Sequence, residues 1–294
     1  MLHGIINVKK EKDYTSHDVV AKLRGILHQR QIGHTGTLDP NATGVLPVCL
    51  GHATKLCEMF TDKSKTYIAT MRLGMVTDTQ DTTGTVTGGT DAMPQEEMLR
   101  TVIESFVGKQ MQLPPMYSAK KVNGKKLYEW ARQGIEIERE RAEVHFYKIE
   151  IRSVALPLVQ LEVSCSPGTY IRTLCHDIGE VLGCGACMQD LVRTQVGPFL
   201  LEHSYTLDEI RDKMESQTLE PFILKVEEVF AEYPAVICPR ELDVRLYNGN
   251  PLPSMLSAVR YDGWIRVYDS AENFKGIYQF AADKQLYYPV KMFL

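Results

Sequence analysis

Two residues of this chain are placed as if to act on a substrate rather than only hold a fold. Asp39 is the single acidic residue of the segment GHTGTLDPNATGVLPVCLG (33–51) and directly precedes Pro40. Gly33, Gly36, Gly44 and Gly51 permit backbone approaches that other residues resist. Pro40 and Pro47 fix their own φ and push the preceding residue toward extended conformations. A lone carboxylate on so constrained a segment, beside Val45, Leu46, Val48 and Leu50, is placed for a task. The plainer alternative is an aspartate that closes a turn next to proline. Arg172 falls near the N-terminus of an expected helix, where the dipole disfavours a cation, so it wants an anionic partner; the plainer alternative is an exposed surface arginine. An aspartate held by an arginine keeps a low pKa and stays ionised, able to act as a nucleophile near neutral pH.

A third feature is chemical in a different sense. In PPMYSAKKVNGKKLYEWARQG (114–134), Lys120, Lys121, Lys125, Lys126 and Arg132 interleave with Tyr117, Tyr128 and Trp130. Cations beside aromatic rings suit RNA, whose phosphates find lysine and arginine and whose splayed bases stack on rings. The formal net charge of −4 argues against wholesale nucleic-acid binding, so any such contact is local. No phosphate-binding loop, dinucleotide fingerprint, H-E-x-x-H or G-x-S-x-G elbow is present, which removes most nucleotide-driven and hydrolase chemistries. The seven cysteines include one C-x-x-C (Cys184, Cys187) with Cys175 and His176 upstream, too little for a structural zinc site, and they read as reduced core thiols. The residues alone thus lead to an RNA-acting enzyme with a catalytic aspartate.

The elements that must position these groups are legible in outline. GIINV (4–8) reads as a strand. Thr15 or Ser16 caps a helix to about Arg30, with Val19, Val20, Leu23, Ile26 and Leu27 on one stripe. KTYIATMRL (65–73) alternates Tyr67, Ala69, Met71 and Leu73 with more polar partners, the pattern of a strand. A turn-rich stretch with Asp78 and Asp81 follows. A helix from Pro94 to about Val107 turns Met98, Leu99, Val102, Ile103 and Phe106 inward. Strands near 143–151 and 158–165 lead through SPG (166–168) to a helix over 169–182 with Ile171, Leu174, Ile178 and Val181 inside. Thr206 and Glu209 form a T-x-x-E capping box. Residues 201–232 carry nine acids against three bases. Beyond Tyr233, short strands and turn signals at 248–250 and 261–263 indicate a small β-rich unit. The first residues hold too short an apolar run for a signal peptide and nothing approaches a membrane span, so the expected location is cytoplasmic.

GHTGTLDPNATGVLPVCLG resembles the first motif of the TruB family of tRNA pseudouridine synthases. KTYIATMRLGMVTDTQDTTG, PPMYSAKKVNGKKLYEWARQG and CSPGTYIRTLCHDIGEVLGCGA resemble its second, third and fourth, in family order over roughly residues 1–200. The resemblance implies a mixed α/β catalytic domain over 1–233, a central mixed sheet flanked by helices. A thumb-like RNA-gripping insertion would span about 120–141. The tail 235–294, with R-x-x-N-G at Arg245–Gly249, looks like the small β-barrel-like PUA-type RNA-binding domain of many members.

By the same resemblance, Asp39 matches the catalytic aspartate, Arg172 the arginine that pairs with it, and Tyr67 the tyrosine that stacks on the target uracil. Leu191 matches an apolar pocket residue, and His34 the histidine that enters the RNA loop. Tyr170 and Lys55 fall in motif positions, and Asp78 matches an acid of the polar network. Val192 and Gln195 depart from the pattern, standing where the family often has basic residues. The implied reaction isomerises uridine 55 in the T loop of tRNA to pseudouridine by base flipping, with no cofactor or metal, by a monomer. Two alternatives stand beside it. One is a tRNA-binding or folding chaperone without catalysis. The other is a carboxylate-dependent glycoside hydrolase, which needs a second acid, Asp78, about 5–9 Å from Asp39.

Overall fold

Strand-forming segments account for the framework of the computed structural model, which describes residues 1–122, 124–256 and 259–294. Residue 123 of the basic segment and residues 257–258 of the C-terminal unit lie outside the described residues. The central sheet contains β1 (Gly4–Lys10), β2 (Ile32–His34), β3 (Thr43–Leu50), β4 (Lys65–Leu73), β5 (Gly108–Gln112), β6 (Ala142–Ala155), β7 (Leu158–Cys165), β8 (Ala186–Val196), β9 (Phe199–Leu200) and β10 (Ile223–Leu224). Their order is β10-β1-β3-β8-β4-β7-β6-β5, with β2 beside β3 and β9 beside β8. The sheet is mixed because β3 and β8 run parallel, Thr43 opposite Val192 and Gly44 opposite Arg193. That pairing brings the end of the Asp39 segment against the strand that carries Leu191.

Among the described residues the longer helices that cover the sheet are α1 (Ser16–Ile26), α2 (Glu96–Ser105), α3 (Ile171–Leu182) and α4 (Leu207–Glu215). Val19, Val20 and Leu23 of α1 and Leu207 and Ile210 of α4 pack on Ile6, Val8, Leu46 and Val48. Leu99 and Ile103 of α2 and Ile171, Leu174 and Ile178 of α3 pack on Ala69, Met71, Val159 and Leu161. The expected capping box of Thr206 with Glu209 forms, and Thr15, one of the two expected caps of α1, forms a second box with Asp18; both satisfy main-chain donors at the helix start.

The structure departs from expectation in local ways. The segment after Asp39 shows no strand period in the sequence, yet it forms the eight-residue β3. Leu46, Val48 and Leu50 enter one core and Val45 and Cys49 another, so both faces are buried and no apolar–polar alternation survives. Pro47 falls between the β3 residues paired to β8 and those paired to β2. Helix α1 stops at Ile26 rather than near Arg30, because His28 takes φ 50°, outside the helical region. Met98 and Val181, expected inside, are 51% and 58% exposed. The buried seam of α3 runs through Ile171, Cys175 and Ile178 and on to the partly buried Leu182, a closer fit to 3.6 residues per turn.

The C-terminal residues form a second, curled sheet: β11 (Ala235–Ile237), β12 (Leu252–Pro253), β13 (Trp264–Tyr268), β14 (Phe274–Ala281) and β15 (Leu286–Met292), in the order β11-β13-β14-β15-β12. Its core holds Leu246, Leu252, Val267, Tyr278 and Tyr287. Ile277 and Phe293 leave that core and join Phe230, Leu56 and Phe60 of the first unit. Among the described residues no helix is long and apolar enough to cross a membrane.

Candidate active site

The turn that presents Asp39 is held from beneath by two buried cations. Lys10, fully buried at the end of β1, donates its Nζ to the carbonyls of Pro40 (2.9 Å) and Ala42 (2.6 Å). Arg193, 1% exposed on β8, donates Nε to the Val45 carbonyl at 2.7 Å and Nη1 and Nη2 to the carbonyls of Thr37 and Gly36, each at 3.4 Å. The Ser16 hydroxyl at the start of α1 accepts the Leu38 N–H at 2.9 Å, and the Ala42 N–H closes the turn onto the Asp39 carbonyl at 3.1 Å. With its carbonyls so occupied, the segment is a preorganised shelf rather than a free loop.

Arg172, the second residue of α3, reaches across to that shelf. Its Nε lies 2.9 Å from Asp39 Oδ2 and its Nη2 3.3 Å from Asp39 Oδ1, a two-point fork. Nη2 also donates to the Tyr117 carbonyl at 2.8 Å and Nη1 to the Thr79 carbonyl at 3.0 Å. A second carboxylate, Asp81, sits 3.6 Å from Nη1. The arginine is 5% exposed, whereas the Asp39 side chain keeps 37% of its surface open. The geometry is that of a carboxylate fixed on its protein side and free on its outer side.

The electrostatic outcome corrects the expectation of a low pKa. Burial raises the Asp39 carboxyl above its ordinary value; Arg172 pulls it down, Asp81 pushes it up again, and Lys10 opposes. Lost hydration on the protein side of the carboxyl is the largest influence, and Arg172 offsets it only in part. Lys10 itself is lowered to about 8, chiefly by burial. Tyr67 is raised to about 12, again by burial, so its phenol stays protonated through the neutral range.

The remaining sequence-derived residues divide into those brought together and those not. Tyr67 on β4 lies directly opposite Arg193 on β8 and belongs to one buried cluster with Leu38, Ala42 and Leu191. His34 ends β2, where its Nδ1 accepts the Gly36 N–H at 3.3 Å. Burial and the nearby Arg193 lower its pKa, which keeps the imidazole neutral. Tyr170 is the residue before α3, its phenol pushed up by burial. Asp78 instead closes its own turn, accepting the Thr85 N–H at 2.8 Å; the acid beside Arg172 is Asp81. Lys55 donates to the Met292 carbonyl at 2.9 Å in the C-terminal unit and makes no contact with the Asp39 carboxylate. Gln195 turns its amide onto the Gly197 carbonyl.

Sequence reasoning missed Asp81, Arg193 and Lys10. A buried cation looks in sequence like any surface charge, and only contacts between distant segments separate Asp81 from Asp78. In the basic segment Lys125 lies over the Trp130 ring at 4.5 Å, and Lys126 and Arg132 lie over Tyr128 at 5.5 and 5.2 Å. Among the described residues no group of three or more His, Cys, Asp or Glu is arranged to hold a metal.

Comparison with known proteins decides the family. Residues 24–171 match the model of the TruB family pseudouridylate synthase N-terminal domain, and residues 172–231 that of the tRNA pseudouridylate synthase B C-terminal domain. The chain belongs to the TruB family of pseudouridine synthases. It is 50% identical to the tRNA pseudouridine synthase B of Lachnoclostridium phytofermentans, with 100% of both chains covered, and 41% identical to that of Clostridium tetani, over 95% of this chain and 96% of the relative. Among solved structures it is similar to a chain of a Cbf5-Nop10-Gar1 complex, with TM-score 0.72, 25% identity and coverage of 99% of this chain and 85% of the other. The TruB-family enzyme is therefore an isomerase that forms pseudouridine. The first family model stops one residue short of Arg172, so Asp39 and its arginine belong to different family segments that meet only in the folded chain.

Proposed function

We propose that the enzyme isomerises uridine 55 in the T loop of tRNA, with Asp39 as the catalytic carboxylate. The observation that carries this reading is the Asp39–Arg172 fork, open on one side, on a turn whose Leu38 and Ala42 share one buried cluster with Tyr67 and Leu191. The reaction breaks the bond between ribose C1′ and uracil N1 and forms one between C1′ and C5. The C5 hydrogen leaves as a proton and N1 gains one, so no oxidant, metal or energy source enters the balance. Arg172 holds the carboxylate in one orientation, and the buried phenol of Tyr67 offers a neutral ring for the extruded base to stack on.

A base inside an RNA stack is out of reach, and extrusion costs a few kcal/mol. His34, neutral and at the rim of the shelf, is the residue that takes the vacated place. The cation-studded insertion binds the phosphates on either side, and the C-terminal sheet serves as a PUA-like second RNA contact. Asp78 acts in shaping its turn and Lys55 in docking the C-terminal unit. The protein acts as a cytoplasmic monomer on this reading.

The test is tritium release from tRNA transcript carrying [5-³H]uridine, with the modified position mapped. Wild type is expected to release tritium from the T loop, and Asp39→Asn to lose at least about 10³-fold in rate while retaining tRNA binding. Equal release by both proteins would remove Asp39 from the chemistry. Release mapped elsewhere in the tRNA would move the substrate position and leave the chemistry standing.

A further inference from the structure

Gln112, the last residue of β5, is 3% exposed and has both ends of its carboxamide committed to one distant residue. Its Oε1 accepts the Tyr170 main-chain N–H at 2.8 Å, and its Nε2 donates to the Tyr170 carbonyl at 2.9 Å. The side chain thus gives Tyr170 what a neighbouring strand would give, pairing both polar groups of a single residue. Tyr170 is the N-cap of α3, has no side-chain cap of its own, and stands two residues before Arg172. A helix start without a cap frays, and its first turn wanders. Here that first turn carries the guanidinium that grips Asp39.

A second tie runs between the same two segments. The Tyr117 carbonyl, five residues beyond Gln112, accepts Arg172 Nη2 at 2.8 Å. Residues 112–117 form the root of the basic insertion, so the arginine is seated on the base of the element that faces RNA. We infer that Gln112 is a positioning residue for pseudouridine formation: its carboxamide fixes where α3 begins, and hence where Arg172 meets Asp39. Gln112 does not touch the reacting atoms. It acts through Tyr170 and the helix start, and a misplacement near 1 Å at a reacting group is enough to cost about 100-fold in rate.

The inference rests on the enzyme's family activity, and wild type assayed on the same tRNA transcript is its reference. If wild type formed no pseudouridine the functional reading would fail, whereas a defect confined to the variant concerns Gln112 alone. Gln112→Met keeps length and volume and removes both hydrogen bonds. Under single-turnover conditions it is expected to slow pseudouridine formation about 10- to 100-fold. Its tRNA dissociation constant should stay within about twofold, because so buried a carboxamide meets no phosphate.

A pH profile separates positioning from loss of fold. The groups facing Asp39 are Arg172 from α3, Asp81 from the turn after β4, Lys10 from β1, Tyr67 from β4 and Tyr170 from the cap of α3. Of these Arg172 exerts the largest downward pull on the carboxyl, so loosening it moves the acidic limb of the rate profile to higher pH. Gln110→Met on the same strand as Gln112, whose amide donates to the Ser105 carbonyl, reports strand damage. A folded Gln112→Met with wild-type rate would overturn the inference. So would a loss matched by Gln110→Met, or a rate loss with the acidic limb unmoved.

Discussion

At the scale of single residues, the contest at Asp39 is between desolvation and its arginine, and desolvation wins. The carboxyl is raised, so its proton leaves at a higher pH than that of an ordinary aspartate near 3.9. If catalysis needs the carboxylate, the rate is lost as pH falls through that raised value, and the acidic limb of single-turnover rate against pH lies above 3.9. Arg172→Lys replaces a two-point fork with one point charge and moves the limb further up, with a rate loss on the order of 100-fold. A limb at or below the ordinary aspartate value in wild type would show that Arg172 prevails. Asp39 and Arg172 were legible in the sequence because each is locally out of place: an acid on a proline-fixed turn, a cation at a helix start. Asp81 was not, since Asp78 and Asp81 share one local pattern and only the fold directs Asp81 toward Arg172. Arg193 and Lys10 were hidden for a related reason, because all but one of the carbonyls that satisfy them come from segments 30 to 157 residues away, the exception being Glu11 beside Lys10.

At the scale of elements, strands and helices with a solvent-facing side were legible, and those without one were not. KTYIATMRL announced β4 with its correct ends, because alternate residues face the core and the polar side. β3 gave no such sign, being buried on both faces. Its one unusual residue is Gly44, where φ is 106° and an added Cβ would lie 2.2 Å from the Arg193 carbonyl oxygen. Glycine is required twice over, by the dihedral and by the close approach of β8. Gly44→Ala is expected to destabilise the protein by about 3 kcal/mol or more, from strain plus the displacement of β8. Urea unfolding measures it, and the same variant should lose activity beyond its loss of fold, because Arg193 on β8 carries the Asp39 shelf. A variant as stable as wild type would mean that β3 and β8 can separate at no cost, contrary to the parallel pairing at Thr43 and Gly44.

At the scale of the whole molecule, two sheets are joined by contacts of different kinds, and magnitudes rank them. Lys55 donates to the Met292 carbonyl and accepts from Lys291 through its own carbonyl, a reciprocal clasp at the surface. Exposed bonds of this sort contribute roughly 0.5–1 kcal/mol each, since water offers the same partners. Phe293 is 7% exposed and its ring lies 6.0 Å from Phe230 and 5.6 Å from Phe274, within a cluster that also holds Leu56 and Phe60. Truncating a buried phenylalanine to alanine costs about 3–5 kcal/mol, a transfer term plus the cavity left behind. The apolar contact, not the polar clasp, should therefore hold the C-terminal sheet in place. Phe293→Ala is expected to lower the urea midpoint markedly or to split unfolding into two transitions, the C-terminal sheet melting first, while Lys55→Ala shifts the midpoint by less than about 1 kcal/mol equivalent. Because neither residue touches Asp39, the pseudouridine-forming rate at saturating tRNA should persist in both variants where they remain folded. A Lys55→Ala loss as large as that of Phe293→Ala would reverse the ranking and make the clasp the joint on which the two sheets depend.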